Sequence, residues 1–230
     1  MPDARPLSRG ARGPAVLSLQ MFLRTRGYGA LELDGRFGAQ TESAVCLARA
    51  GVAMMPSGVA DEGLLELLRA IDPGVVEIPR VNTPLTTEER ARALIAGHRR
   101  VFGVAPSASR LRMALAQIQA EHGSHALWNF NFGNVMTGAG WHGPWFQMDA
   151  RERFTHGWQV HRSHWRAACS PDEGAGIYWR MMVQHFAAAI PMFDEGSPQG
   201  AAHALKAAGY YTATEASYAR LLRACWEELR

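Results

Sequence analysis

Lysine is almost missing from this chain of 230 residues: Lys206 is the only one, and arginine supplies the rest of the 24 basic residues. Against 21 acidic residues the formal net charge is +3. No stretch carries the dense Lys/Arg stripe that binding along a phosphate backbone needs, so no nucleic-acid partner is expected. Cysteine is scarce as well. Cys46, Cys169 and Cys225 are far apart, odd in number and form no CxxC pair, which argues against a disulfide framework or a structural zinc knot. Cys225 falls on the apolar face of a helix and reads as core. No apolar run reaches the ~18–20 residues of a membrane span, so no membrane partner is expected. The first residues, Met1 to Gly13, are polar and dotted with arginine, without the apolar stretch of a secretory signal; no signal peptide is expected. What remains suffices for a folded chain, since 47% hydrophobic and 20% charged residues exclude disorder as the main state.

The residues that are present are unevenly placed. Residues 1–72 balance 8 Arg against 8 Asp/Glu, whereas all 9 His and all 7 Trp lie beyond position 72. In the first part, Val16, Leu19 and Leu23 form one stripe from Pro14 to Arg26, with Gln20 beside it and a stop at Gly27-Tyr28. The glycine-flanked turn Asp34-Gly35-Arg36-Phe37-Gly38 follows, and Thr41 reads as N-cap of a second helix through Ala44, Val45 and Leu47. A third helix spans about Asp61 to Ile71, with Leu64, Leu65, Leu67 and Leu68 apolar. The Pro-rich extended stretch from Val75 to Pro84 reads as a linker. Beyond it, helices are expected from Thr87 (capped by Thr87-Glu88-Glu89) to Phe102, from Ser109 to about Glu121 or His122, and over 172–190, 198–208 and 214–229. The Gly-, Trp- and His-rich middle, Asn129 to Ala168, reads as loops plus a β-hairpin.

The spacing of Gly10, Gly13, Val16, Leu19-Gln20, Leu23, Gly27-Tyr28, Asp34-Gly35-Arg36-Phe37-Gly38, Thr41 and Ala44-Val45 resembles the peptidoglycan-binding family. That pattern reads G-x-x-G-x-x-V-x-x-L-Q-x-x-L-x-x-x-G-Y, then D-G-x-F-G-x-x-T-x-x-A-V. It covers about residues 8–70 and departs at Ala48-Arg49, where the family places Phe-Gln. The resemblance implies a small three-helix wall-binding bundle in which Asp34, Arg36 and Phe37 serve binding. The alternative is that these residues only build a three-helix core.

One carboxylate sits on an apolar face. Leu111, Ala114, Leu115 and Ile118 form a stripe, and three positions past Ile118 comes Glu121, at the helix end. Partial desolvation there disfavours the ionised carboxyl and raises its pKa. A glycosidic oxygen leaves poorly until protonated, so a carboxyl that keeps its proton near neutral pH suits a general acid. A frayed helix end pointing to water is the bland alternative.

The segment Ala116-Gln117-Ile118-Gln119-Ala120-Glu121-His122-Gly123-Ser124 resembles the A-Q-x-x-x-E-[ST]-G-x-G-like motif of bacterial cell-wall β-N-acetylglucosaminidases, a group with flagellar muramidases and autolysins. Asn131-Phe132-Gly133-Asn134-Val135, Trp165-Arg166-Ala167 with Ser170-Pro171-Asp172-Glu173-Gly174, and Ala208-Gly209-Tyr210-Tyr211-Thr212 with Tyr218-Ala219 resemble further segments in the same order. His122, Ala168 and Ala213 depart from the pattern. The resemblance implies a mainly α, lysozyme-like domain with a small β-hairpin insertion, and a catalytic glutamate at Glu121. It also implies a site tyrosine at Tyr210 that orients the sugar, and a second acidic residue on the hairpin. Glu152 is preferred for that role because it precedes an aromatic residue, with Asp149 as the alternative. A separation of ~6.5–9.5 Å would suit a water-activating base and ~5–5.5 Å a nucleophile. The sugar's own acetamido group is a third possibility. Glu173, at a helix start, reads as a cap or loop anchor.

Sugars pack apolar C–H faces on aromatic rings, so Trp128, Trp141, Trp145 and Phe132, with Asn131, are the candidate substrate-binding residues. Trp179 and Trp226 lie in helices and read as core. Glu121, His122, His125 and His142 could be read as zinc ligands, but the order is not H-E-x-x-H and adjacent helical residues point about 100° apart, so no metal and no cofactor is expected. The expected organisation is a wall-binding domain at 1–72, a linker at 73–86 and a glycan-cleaving domain at 87–230. The expected function is a monomeric peptidoglycan hydrolase acting at the cell wall, in the periplasm or outside the cell. It would be delivered as a phage endolysin is, or through a secretion system. Two rivals stand beside it: a zinc amidase or peptidase on the stem peptide, and a non-catalytic wall-binding protein.

Overall fold

The computed structural model describes the backbone of residues 5–122, 127–154 and 157–229, and the side chains of all of these except 150–154, 157–159 and 161. Among the described residues the chain is mainly α-helical with one small antiparallel hairpin, as the sequence predicts. It divides into two compact units: Met1–Val81 with Met136–Ser170, and Asn82–Val135 with Pro171–Arg230.

The first unit begins with α1 (Pro14–Thr25), α2 (Ala39–Gly51) and α3 (Glu62–Ala70). Pro14 opens α1 at its first position, where the missing N–H costs nothing. The stripe predicted for α1 is the core: Val16, Leu19 and Leu23 are fully buried with Val45, Leu64 and Leu68, and Phe37 closes over them. In α3 only Leu64 and Leu68 of the four apolar positions are buried, and Leu67 is 42% exposed.

Gln20 is the polar centre of this bundle. Its buried amide donates to Asp34 Oδ1 (2.9 Å), the Arg36 carbonyl (3.1 Å) and Thr41 Oγ1 (3.2 Å), and its carbonyl accepts from the Gly35 N–H (2.9 Å). One side chain therefore ties α1 to the Asp34–Gly38 turn and to the start of α2. Thr41 accordingly is not the N-cap predicted for it. That place belongs to Gly38, and Thr41 lies a turn inside α2 with its hydroxyl facing Gln20. Replacing Gln20 by leucine leaves the Gly35 N–H and the turn's acceptors buried without partners, and is expected to cost about 2–3 kcal/mol, read as a lower urea midpoint.

The hairpin completes the first unit. Strands β1 (Trp145–Phe154) and β2 (Gly157–Arg166) pair from Trp145 opposite Arg166 to Phe154 opposite Gly157. The Trp145 ring lies 4.3 Å from that of His164. Part of the predicted linker pairs here too: Ile78 donates to the Trp145 carbonyl (2.8 Å), and Trp145 donates to that of Val76 (2.9 Å).

The second unit contains α4 (Thr87–Phe102), α5 (Ala108–His122), α6 (Pro171–His185), α7 (Ala189–Asp194), α8 (Pro198–Ala207) and α9 (Glu215–Glu228). The cap of α4 falls one residue earlier than predicted. Thr86 and Glu89 form a reciprocal capping box, and Gly103 ends the helix in the left-handed region at φ 77°. The single helix predicted over 172–190 is broken into α6 and α7. Pro191 lacks an N–H and pushes the preceding residue out of the helical region, so it is tolerated only in the first turn of a new helix.

Helices α4 and α6 cross with their backbones almost touching. A Cβ on Gly97 would lie 2.6 Å from the Ala175 carbonyl carbon and the Gly176 nitrogen. The close approach lets the buried Trp179 indole donate to the Leu94 carbonyl (2.9 Å). Trp226 is half-buried beneath the Arg112 guanidinium at 4.0 Å.

A second polar centre holds α4, α5 and α7 together. Arg110 pairs with Asp194 and reaches His98 Nε2 (2.9 Å), while His98 Nδ1 meets the Val104 carbonyl (2.7 Å). Arginine can only donate, so Nε2 accepts and Nδ1 carries the proton. Burial accordingly holds the His98 pKa below the ordinary imidazole value.

Candidate active site

Helix α5 places Glu121 one turn past Gln117, on the face that buries Met113, Ala114, Gln117 and Ile118. The carboxylate of Glu121 is half-buried at the C-terminal end of the helix, where the backbone dipole also disfavours negative charge. The first turn of α9 supplies its partner: the Tyr218 hydroxyl donates to Glu121 Oε1 at 2.9 Å. Burial raises the pKa of Glu121 above the usual carboxylate range, and hydrogen bonds from Tyr218 and Asn134 oppose that rise without cancelling it.

Tyrosines surround this carboxyl. Tyr178 from α6, Tyr210 from the loop after α8, and Tyr218 all have phenol pKa values pushed up, chiefly by burial and further by the charge of Glu121. Each therefore stays a neutral hydroxyl across the physiological range. The Tyr178 hydroxyl donates to Gln117 Oε1 (2.6 Å), and that of Tyr210 reaches the Gly133 carbonyl (3.4 Å). Tyr218 stacks on Tyr211 at 4.0 Å, and the only lysine fixes that loop: Lys206 Nζ donates to the carbonyls of Tyr211 (3.3 Å), Thr212 (3.1 Å) and Ala213 (2.8 Å).

The loop carrying Asn134 is shaped by its own side chains. Asn131 is buried; its amide donates to the Val135 carbonyl (3.0 Å), and its Oδ1 accepts from the Val135 N–H (2.8 Å). Asn129, Phe130 and Asn134 adopt positive φ of 48°, 51° and 48°. These bends turn Phe130 and Phe132 inward, where both are buried. Gly133 faces the Tyr178 ring so closely that a Cβ would lie 2.9 Å from it.

Several predicted site residues therefore have other work. Phe132 is core, 1% exposed, and cannot form a sugar wall, while Asn131 staples its loop. Trp128 is half-buried in the second unit. Trp141 and Trp145 belong to the first unit. There the Trp141 indole donates to the Pro144 carbonyl (2.9 Å), and Arg166 lies over its ring at 4.7 Å. Asp149 is exposed on β1 and 3.7 Å from Arg162, a contact worth little in water. The side chain of Glu152 lies outside the described residues; its backbone pairs with Gln159. Tyr210 does stand near Glu121, as does Tyr218. Tyr178, Gln117 and Asn134 join them without having been singled out by sequence reasoning.

In the first unit, Asp34 and Arg36 are exposed at the rim of a hollow of about 320 Å³ that Gln20 and Thr41 also line. Burial pushes the Asp34 carboxyl up, but hydrogen bonds from the Gln20 amide and the Arg36 N–H outweigh it and leave the pKa lowered. Phe37, 2% exposed, is core and does not offer its ring to a ligand. Among the described residues no three His, Cys, Asp or Glu side chains cluster closely enough to hold a metal ion.

With this geometry in place, the N-terminal spacing pattern has a counterpart among known families. Residues 12–68 match the family model described as "Putative peptidoglycan binding domain". No curated protein sequence matches significantly. Among solved structures, a mutant peptidoglycan hydrolase from Sphingomonas sp. A1 is 22% identical, with 61% of this chain covering 88% of that one at a TM-score of 0.45. The glycoside hydrolase domain of Salmonella typhimurium FlgJ is also 22% identical, with coverages of 63% and 89% and a TM-score of 0.42. The catalytic domain of the autolysin Auto from Listeria monocytogenes is 13% identical, with coverages of 73% and 93% and a TM-score of 0.44.

Tyr218→Phe tests the electrostatics of the site. The lost hydrogen bond favours the ionised carboxyl, so removing it raises the Glu121 pKa further. The alkaline limb of the pH–activity profile should move to higher pH, while activity on the acid side changes little.

Proposed function

We propose that this chain is a peptidoglycan hydrolase that cleaves β-1,4 glycosidic bonds of the wall's glycan strand. In this reading residues 1–72 hold the wall, 73–86 link, and 87–230 cleave. The single observation that carries the catalytic half is the state of Glu121: a half-buried carboxyl with a raised pKa, hydrogen-bonded by Tyr218 and faced by neutral phenols. Such a group keeps its proton near neutral pH and can pass it to a leaving oxygen in a site that excludes bulk water. The family match over 12–68 supports the anchoring half. Tethering raises the local concentration of the cleaving part on an insoluble substrate.

In the proposed reaction the Glu121 proton moves to the glycosidic oxygen as its bond to the anomeric carbon breaks. The positive charge that develops on the sugar is met by Glu152 or Asp149, or by the sugar's own acetamido oxygen. Water then adds to the anomeric carbon and its proton is removed, leaving a new reducing end. Tyr210 orients the sugar. Wall sacs treated with the full chain should release new reducing ends in the presence of a metal chelator. Release of free amino groups instead, or activity lost with the chelator, would point to a metal-dependent amidase or peptidase.

A further inference from the structure

The polar groups around Glu121 form a directed chain, and Gln117 is its pivot. Gln117 is 0% exposed, and an amide so enclosed must find partners on both of its ends. Its oxygen accepts from the Tyr178 hydroxyl at 2.6 Å. Among the described residues that oxygen is the one acceptor within reach of this fully buried hydroxyl, so turning the amide over would orphan the Tyr178 proton. The orientation is thus fixed, with Nε2 on the far side. Nε2 has no fully formed hydrogen bond among the described residues. The group it acts on is the Tyr210 hydroxyl, whose oxygen it approaches as a donor. With that oxygen receiving the amide N–H, the Tyr210 proton must point away from Gln117. Its acceptor in this direction, the Gly133 carbonyl, is a long 3.4 Å away.

We infer that Gln117 is a positioning residue that sets the direction of the Tyr210 hydroxyl proton and so presents Tyr210 as a hydrogen-bond donor to an acceptor oxygen of the bound amino sugar. This rests on the glycan-cleaving reading. Tyr178 orients Gln117, Gln117 orients Tyr210, and the weak bond to Gly133 is the one the substrate replaces. Because the whole relay is built from buried neutral groups on α5, α6 and the loop after α8, it is formed before substrate arrives and costs no reorganisation at the moment of reaction.

The test is a double-mutant cycle on the full chain, with purified wall sacs as substrate and new reducing ends as readout. Gln117→Met and Tyr210→Phe should each lower kcat on the order of 10-fold or more with little change in apparent KM, since what is lost is one well-aimed hydrogen bond. The Gln117→Met/Tyr210→Phe pair should be no slower than the slower single variant. A multiplied loss would mean that Gln117 acts only through packing, and would overturn the inference. Tyr178→Phe keeps the core filled and serves if Gln117→Met folds poorly. It frees the amide to turn over, and should lower kcat with the same insensitivity to Tyr210→Phe; a wild-type rate in Tyr178→Phe would overturn the inference as well. The two levels fail separately. If Glu121→Gln is dead while Gln117→Met and Tyr178→Phe run at the wild-type rate, the relay is wrong and the glycan-cleaving reading stands. If the wild type frees no reducing ends, that reading falls first.

Discussion

Glu121→Gln is expected to lower glycan cleavage by at least about 10²-fold while leaving the protein folded and able to pellet with wall sacs. The substitution keeps the shape of the side chain and an acceptor for Tyr218, and removes only the transferable proton. General-acid catalysis contributes ~10²–10⁴-fold, which sets the scale of the loss. Binding should survive because the segment matching a wall-binding family, 12–68, is far from Glu121 in sequence and has its own core. In the wild type, activity should hold at low pH and fall as pH climbs through the raised Glu121 pKa. The same shift has a consequence for stability. The folded state binds this proton more tightly than the unfolded chain, so the contribution is full below the ordinary carboxyl pKa and is lost as pH rises through the folded value. A glutamine has no such loss. Glu121→Gln should therefore melt at or above the wild-type temperature at neutral pH, and below it or equal to it in acid. A variant that is inactive because it is misfolded would show the opposite at neutral pH.

Gly174→Ala should be the most damaging single methyl in the second unit. A Cβ there would lie 1.9 Å from the Phe130 carbonyl oxygen and 3.0 Å from its carbon, and both are backbone atoms that no rotamer change can move. Phe130 already sits at φ 51°, in a loop stapled by Asn131, so the loop has little freedom to retreat. The cost should lie at or beyond the top of the ~1–3 kcal/mol seen for overpacked cores. For a chain of this size that corresponds to a fall in Tm of roughly 6–12 °C. Activity should suffer along with stability, because the displaced loop carries Asn134 and the Gly133 carbonyl, which meet Glu121 and Tyr210. Gly176→Ala, two residues on in the same helix, is the control. Its added methyl meets nothing closer than Arg180 Nη1 at 3.5 Å, and should raise Tm slightly through helix propensity. Equal melting of the two variants would mean that the contact of α6 with the 127–135 loop is not what holds that loop.

Local pattern carried most of the fold and one decisive residue. Periodicity in α5 was enough to set Glu121 on an apolar stripe, and alternation around Trp158–Val160 was enough for β2. Fixed spacings carried the N-terminal bundle in the same way. What local pattern does not contain is the company Glu121 keeps. Tyr218 is 97 residues away in sequence, and Gln117 meets Tyr178 across 61, so each looked like an ordinary helical residue until the helices were packed. Phe132 and Asn131 show the converse error. An aromatic residue in a Gly- and Asn-rich loop suggests an exposed ring, but three positive-φ residues curl this loop inward and bury it. The break between α6 and α7 was legible in Pro191 and was missed because apolar residues continue across it.

The central claim is that the bond broken is glycosidic and that Glu121 breaks it. Mass analysis of the soluble fragments from wall sacs digested by the full chain tests this most directly. The account predicts short glycan fragments with new reducing sugar ends and intact stem peptides, produced by the wild type and not by Glu121→Gln. Free stem peptides released from uncut glycan strands would contradict it.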